Sequence, residues 1–418
     1  EINRIGTISE GNTVSDYNSN EIEKQISIMT SLLHLEWNNA KINLFDTPGY
    51  SDFLGEVKAA LRVSDIAVMI LKSAEGVEVG SENTNKFVGE YNLPSAIIIN
   101  KVDNEHSNFT STFQKAKERI SSNSIVVTYP INEGPNFDTI VDVVKMKAYS
   151  FGEAGSKKVT EIDIPNELAT QTENYRIELI EKVAETNEEL MNKYFENGTL
   201  STKELEQGIK TAIVSRYLTP VFAISSSKGV GINNFLEFIS KYFPSPIDRG
   251  GEEVLLKDSG DKILLIPDKT AEPVLFIFKT VSEQHVGELS LFKVFSGSIS
   301  AGMDLINTDN DKSERLSQLS ILNGHSRNEI TNLVAGDIGA VVKLKDTHTN
   351  NTLSSKNLSV IVNPIKFPEA VIRAAIIPKA KGDEDKIASG LHFRTRGASI
   401  KFGCQDIERA IWRRGRSG

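Results

Sequence analysis

Three short runs of uninterrupted apolar residues, 66–71, 96–99 and 221–224, each give way to polar residues. Such runs are too short for a buried helix and far too short to span a bilayer. Apolar runs of this length without alternation suit parallel strands covered by helices on both faces. The first half of the chain is therefore expected to be α/β, built on a doubly wound sheet.

The surrounding residues extend this reading. Segments 30–37 and 41–45 are strand-like about the turn pair Asn38-Asn39, and Phe53, Val57, Ala60 and Leu61 recur at helical spacing over 52–63. Residues from about 105 to 215 hold long charged helical stretches, such as 173–194, and read as a helical insertion before the last strand. Pro244-Ser245-Pro246 then breaks the pattern, which puts the end of the first domain (1–246) there and a linker at 247–262. Strand-like runs at 274–279, 290–295, 340–344 and 358–362, separated by Gly and Asn/Asp turns, predict a small β-barrel over 263–365. A strand at 370–376 opens a further unit over 366–391. The Arg-rich run 392–418 has no apolar period and reads either as a disordered basic tail or as something other than the native continuation.

With 418 residues, 39% hydrophobic and 25% charged, the chain is long enough for two to four globular domains. A net charge of −9 argues against a protein that grips nucleic acid along its whole surface, so any RNA contact is expected to be local or transient. Its single cysteine, Cys404, forms no intramolecular disulfide, which fits a reducing cytoplasm. No charged-then-apolar leader opens the sequence, and neither secretion nor membrane insertion is expected. The start at Glu1, inside what reads as a loop, suggests a truncated chain.

Four loops carry candidate chemistry. Asp46-Thr47-Pro48-Gly49 follows one predicted strand and precedes a helix. Open α/β sheets bind ligands at the carboxyl ends of their strands, where an Asp can hold Mg²⁺ and a glycine lets a backbone N–H approach a γ-phosphate. A plain Pro-Gly turn gives the same residues. Asn100-Lys101-Val102-Asp103 ends another strand. A carboxylate at 103 placed to accept from the ring N–H and exocyclic amine of guanine would reject adenine, with Asn100 bracing the neighbouring loop and the Lys101 stem against the base. A polar strand-end loop is the plainer alternative. Ser225, Ser226, Ser227 and Lys228 follow the last strand and could present backbone N–H groups to the guanine carbonyl. Ser27, in Ile26-Ser27-Ile28, could coordinate Mg²⁺ and order its loop only when a γ-phosphate is present, or could simply be a strand-edge serine. Asp103 and Asp46 are expected on loops at one edge of one sheet. The phosphate-cradling pattern G-x-x-x-x-G-K-[ST] occurs nowhere in the chain, so these 418 residues alone are expected to bind GTP poorly. The six histidines show no metal spacing, and Asp309 and Asp311 lack the rest of a calcium loop.

In this order the motifs resemble the second to fifth motifs of a translational GTPase of the elongation factor G-like family. Residues 138–149 are similar to that family's insertion, and Phe278-Lys279-Thr280, Phe295-Ser296-Gly297, Ala335-Gly336-Asp337 and Leu344-Lys345-Asp346-Thr347 to its second, β-barrel domain. Pro368-Glu369-Ala370-Val371-Ile372 and Ile377-Pro378-Lys379 resemble the opening of its third domain. The resemblance implies a P-loop GTPase-type sheet with a helical insertion, a β-barrel and a partial α+β (ferredoxin-like) domain. It implies GTP and Mg²⁺ as ligands, Asp46 and Ser27 on the metal, Gly49 on the γ-phosphate, and a monomer meeting ribosomal RNA and ribosomal proteins transiently. It implies hydrolysis coupled to a translocation-like step, or else a resistance or rescue factor with weak hydrolysis. Ordinary members carry His at the place of Tyr50, where it positions the attacking water. Tyr, with an unperturbed pKa of about 10, cannot take a proton in the same way, so slow ribosome-dependent turnover is expected.

Overall fold

The computed structural model describes residues 6–152, 159–283 and 287–369. The expected strand at 370–376 and the basic segment 392–418 lie outside the described residues. The chain divides into two compact units. The first comprises 1–34, 43–63 and 250–418; the second comprises 35–42 and 64–249.

The first unit opens with the short helix α1 (Ser19–Lys24) and most of a hairpin, β1 (Ser31–Trp37) and β2 (Ala40–Asp46). Asn38 and Asn39 both have positive φ, 47° and 61°, as a two-residue type I′ turn requires, and Asn tolerates this conformation well. A single 3₁₀ turn (Ser51–Phe53) leads into α2 (Leu54–Val63).

The second unit holds the parallel sheet. Its strands are β3 (Ala67–Lys72), β4 (Ser95–Asn100), β5 (Ser124–Val126) and β10 (Thr219–Ala223), in the spatial order β3-β4-β10-β5. Helices α3 (Val79–Glu90), α4 (Phe109–Arg119) and α8 (Ile232–Tyr242) follow β3, β4 and β10. Ile97 and Ile99 of β4 and Val221 and Ala223 of β10 are wholly buried, as expected of central parallel strands. The β3 run departs from that expectation at Ile70, 63% exposed, which shares the less covered face of the strand with Val68 and Lys72, whereas Ala67, Met69 and Leu71 on the other face are buried.

The insertion is not only helical. Between β5 and the helices lies an antiparallel sheet of β6 (Thr128–Pro130), β7 (Thr139–Asp142), β8 (Lys147–Phe151) and β9 (Val159–Ile162). The single expected helix at 173–194 is two, α5 (Ala169–Ala184) and α6 (Glu188–Asn197). The break has a local cause: the Asn187 side chain accepts from the Leu190 amide at 2.8 Å and so starts a new helix. Helix α7 (Thr202–Val214) begins with a reciprocal cap between Ser201 and Glu204.

Residues beyond 250 return to the first unit. An eight-stranded antiparallel sheet runs in the order Lys312–Arg315, Asp304–Asn307, Thr352–Ser354, Val274–Glu283, Gly287–Ser296, Ile338–Val342, Leu319–Asn323, Ser326–Ile330. The alternation of a pleated strand separates two cores. Val274, Phe276 and Phe278 enter one, which also contains Leu32, Ala59 and Val63, while Leu275 and Ile277 enter the other with Leu305 and Leu353. Among the described residues, no helix is long and apolar enough to cross a membrane.

Candidate nucleotide site

The loop after β4 and the loop after β10 meet because their strands are parallel neighbours in register, Val221 opposite Ile97 and Ala223 opposite Ile99. Both chains therefore leave the sheet at the same edge. Asn100 braces the second loop: its Nδ2 donates to Ser226 Oγ at 3.0 Å, and its Oδ1 accepts from the Ser226 amide at 3.1 Å and the Lys101 amide at 2.8 Å. Lys101 takes a left-handed conformation, φ 60°, which turns the loop sharply and leaves its side chain exposed.

Asp103 is held from one side only. Its Oδ2 accepts from Ser227 Oγ at 2.9 Å, and the Ser225 and Ser227 hydroxyls are 3.0 Å apart. Among the described residues its buried Oδ1 has no hydrogen-bond partner of good geometry, although the Ser225 hydroxyl lies near enough to act on the carboxylate. Burial pushes the Asp103 carboxyl up, but the Ser225 and Ser227 hydroxyls, its own amide and the Lys228 charge outweigh it and leave the pKa lowered. Asp103 is thus an ionised carboxylate with one oxygen fixed and the other out of water and unmatched, an arrangement that is costly unless something else donates to it.

Ser27 and the segment 46–50 belong to the first unit. Asp46 ends β2, which among the described residues pairs with β1 alone, so the expectation of Asp46 and Asp103 on a single sheet is not met. The burial of β2 differs accordingly: it has no fully buried residue, whereas β4, β5 and β10 of the parallel sheet carry fully buried runs. Burial raises the Asp46 pKa; the Ser15 hydroxyl opposes this, and the Asp16 and Glu21 charges reinforce it. Pro48 is buried, Thr47 half-buried, and Gly49 and Tyr50 are exposed, Tyr50 to 56%. A Cβ at Gly49 would meet nothing within 4 Å, so packing within the protein gives no reason for glycine there.

Sequence reasoning missed two carboxylates that hold the Ser27 segment. Glu21, wholly buried, accepts from the Ile28 and Met29 amides, both at 2.9 Å, and from Asn18 Nδ2 at 2.6 Å. Glu56, on α2, accepts from the Thr30 amide at 2.7 Å. Three consecutive amides after Ser27 are therefore satisfied by side chains rather than by a strand partner. The available signal was α2 itself, where Glu56, Lys58 and Arg62 interrupt an otherwise apolar helix.

The family described as elongation factor Tu GTP binding domain matches residues 1–245, and elongation factor G domain 2 matches residues 273–356. Elongation factor G 1 of Syntrophomonas wolfei subsp. wolfei is 33% identical over 389 residues, covering 93% of this chain and 58% of the relative. The crystal structure of a Thermus thermophilus protein superposes with a TM-score of 0.81 at 24% identity, over 97% of this chain and 58% of that one, which speaks for the fold. The chain spans less than two thirds of the length of either. A GTP-binding domain of this kind followed by that second domain defines a class, the translational GTPases. Within it, the chain belongs to the elongation factor G-like family.

Proposed function

We propose that the intact protein is a ribosome-associated GTPase that couples GTP hydrolysis to a conformational, translocation-like step of protein synthesis, acting as a monomer in the cytoplasm. The single observation that carries the nucleotide reading is Asp103: one carboxylate oxygen is fixed by Ser227 while the other is buried without a partner. Guanine offers two adjacent N–H donors to such a group, and adenine does not. Asn100 would hold the two loops together, the Lys101 stem would lie along the base, and the loop at Ser225, Ser226 and Ser227 would present backbone N–H groups to the guanine carbonyl. In this reading 1–246 is the GTPase domain, 247–262 a linker, 263–365 the second domain, and 366–391 the opening of the third.

For the phosphate end, Ser27 and Asp46 supply a hydroxyl and a carboxylate, the hard oxygen donors that Mg²⁺ takes. Asp16 and Glu21 add negative charge around Asp46 that a divalent cation would offset. When bound, Mg²⁺ would neutralise phosphate charge. The exposed Gly49, with open space where a Cβ would lie, would let a γ-phosphate come close to its backbone amide, flanked by Thr47 and Pro48. Tyr50 would orient water by hydrogen bonding rather than accept its proton. That residue is also what favours a second reading, a GTP-binding resistance or rescue factor with weak hydrolysis. Without a phosphate-cradling motif, the 418-residue chain by itself would be inactive.

The test is a binding series on the full-length protein with GDP, IDP and ADP. Inosine keeps the ring N–H and lacks the exocyclic amine. IDP is expected to bind about 10–100-fold more weakly than GDP, for the loss of one charge-assisted hydrogen bond, and ADP not measurably. Equal affinity for GDP and ADP would remove the guanine assignment.

A further inference from the structure

Helix α2 carries three charged residues that the apolar pattern of its sequence does not explain, and each is engaged with residues beyond 250. Arg62 donates to Glu252 Oε1 at 2.6 Å and to the Asn363 carbonyl at 2.9 Å, with its guanidinium over the Phe276 and Phe295 rings. Lys58 donates to the Lys366 carbonyl at 3.1 Å, and Lys293 donates to the carbonyl of Val63 at the end of the helix. The third, Glu56, differs from the others in what it reaches. Its Oε2 accepts from Lys279 Nζ at 2.6 Å and from the Thr30 amide at 2.7 Å, and the same Lys279 Nζ donates to the Thr30 carbonyl at 3.1 Å. The Lys279 and Glu56 side chains are 7% and 13% exposed.

Resting on the nucleotide reading above, we propose that Lys279 and Glu56 are positioning residues that hold the Ser27 segment in its phosphate-ready place and tie it to both α2 and the β-domain. The pair grips both sides of Thr30, its N–H and its C=O, three residues beyond Ser27. Glu21 grips the two amides between them. The segment has no strand partner until Ser31, so its place depends on these two carboxylates. Glu21 is satisfied entirely by N–H donors of its own neighbourhood, whereas Glu56 is a buried charge neutralised by a lysine 223 residues away. Removing that lysine leaves an uncompensated carboxylate, which must turn toward water or take up a proton, and either change weakens its hold on the Thr30 amide. A segment ordered by the γ-phosphate would then have to be ordered from a looser start, at a cost to GTP and none to GDP.

The experiment uses the full-length protein and its Lys279→Met variant, with GDP and GTPγS in Mg²⁺ as probes. The preference for GTPγS over GDP is expected to fall about tenfold, with GDP affinity unchanged. Hydrogen exchange at the Thr30 amide is expected to speed up in the variant with or without nucleotide, a readout independent of nucleotide binding. An unchanged GTPγS preference, or unchanged protection at Thr30, overturns the proposal. A wild-type protein that binds no guanine nucleotide refutes the functional reading instead, and the exchange measurement still decides the pinning of Thr30. Glu56→Gln, which keeps an acceptor for Thr30 and removes the charge, is measured beside it and is expected to shift the preference in the same direction. If neither variant folds, the pair is a stability element and the positioning role is refuted.

Discussion

Replacing Asp103 by Asn is the sharpest test of the chemistry at the base-reading loop. The substitution is nearly isosteric, and the Ser227 hydroxyl that now donates to Oδ2 can rotate to accept from the new amide, so the fold should tolerate it. With the amide nitrogen at the Oδ2 position, the buried Oδ1 stays an acceptor but loses its charge. In the proposed complex the carboxylate accepts two N–H groups of guanine, each worth about 1.5–3 kcal/mol to a charged acceptor. The carboxamide keeps one neutral acceptor and turns the other position into a donor, so one of the two charged bonds is lost outright, which gives about 1.5–3 kcal/mol, or about 10–100-fold weaker GTP binding, before the repulsion of the two facing donors is added. Xanthine, with a carbonyl where guanine has the exocyclic amine, presents one donor and one acceptor, the complement of a carboxamide. Competition of GTP and XTP against a fluorescent nucleotide on the full-length variant is therefore expected to show a reversal, with XTP the tighter ligand. A variant that keeps its GTP affinity, or loses GTP without gaining XTP, would refute the assignment of Asp103 to the base.

Two further outcomes are expected elsewhere. Tyr50→His is expected to speed single-turnover, ribosome-dependent GTP hydrolysis, by up to about 100-fold where an imidazole adds a proton acceptor that the phenol does not supply; rapid-quench rates that match for the two proteins would show that Tyr50 does not limit turnover. Gly324→Ala is expected to destabilise the protein by about 2 kcal/mol or more, since its φ is +60° and an added Cβ would lie 2.1 Å from the Val14 carbonyl oxygen. Gly260→Ala is the control: its φ is +76° with nothing within 4 Å, so only the left-handed strain of about 1 kcal/mol applies, and equal denaturant midpoints for the two would refute the clash argument.

What was legible in the sequence was whatever is encoded locally. The Asn38-Asn39 turn, the apolar strands ending at Asn100 and before Ser225, and the strand-like run at 274–279 each depend on residues within one turn or one pleat, and each appears as expected. The β6–β9 sheet of the insertion was hidden because its strands are three to five residues long and broken by Pro130, Gly134 and polar turns, too short for a period to register. The placement of Asp46 failed for a different reason. Strand type can be read from a run of residues, but strand neighbours are set by pairing across the chain, and nothing in 40–46 says which sheet it joins.

The Ser27 segment shows the same limit where it bears on function. A glutamate on a helix usually lies on the solvated face, and so Glu56 reads until its partners are known. Its role follows from Thr30, 26 residues before it, and Lys279, far after it, and neither is visible at helical or strand spacing. Motifs identify the groups that would touch the nucleotide, because that chemistry restricts the residue type. The groups that decide when those motifs are in place need only be buried, charged and matched, and many sequences satisfy that. If Lys279 and Glu56 do govern the GTP-over-GDP preference, Lys279→Arg, which keeps a cation beside Glu56, should retain part of it, whereas Lys279→Met should not. A Lys279→Arg variant no better than Lys279→Met would show that the geometry around Thr30, not the opposed charge, is what counts.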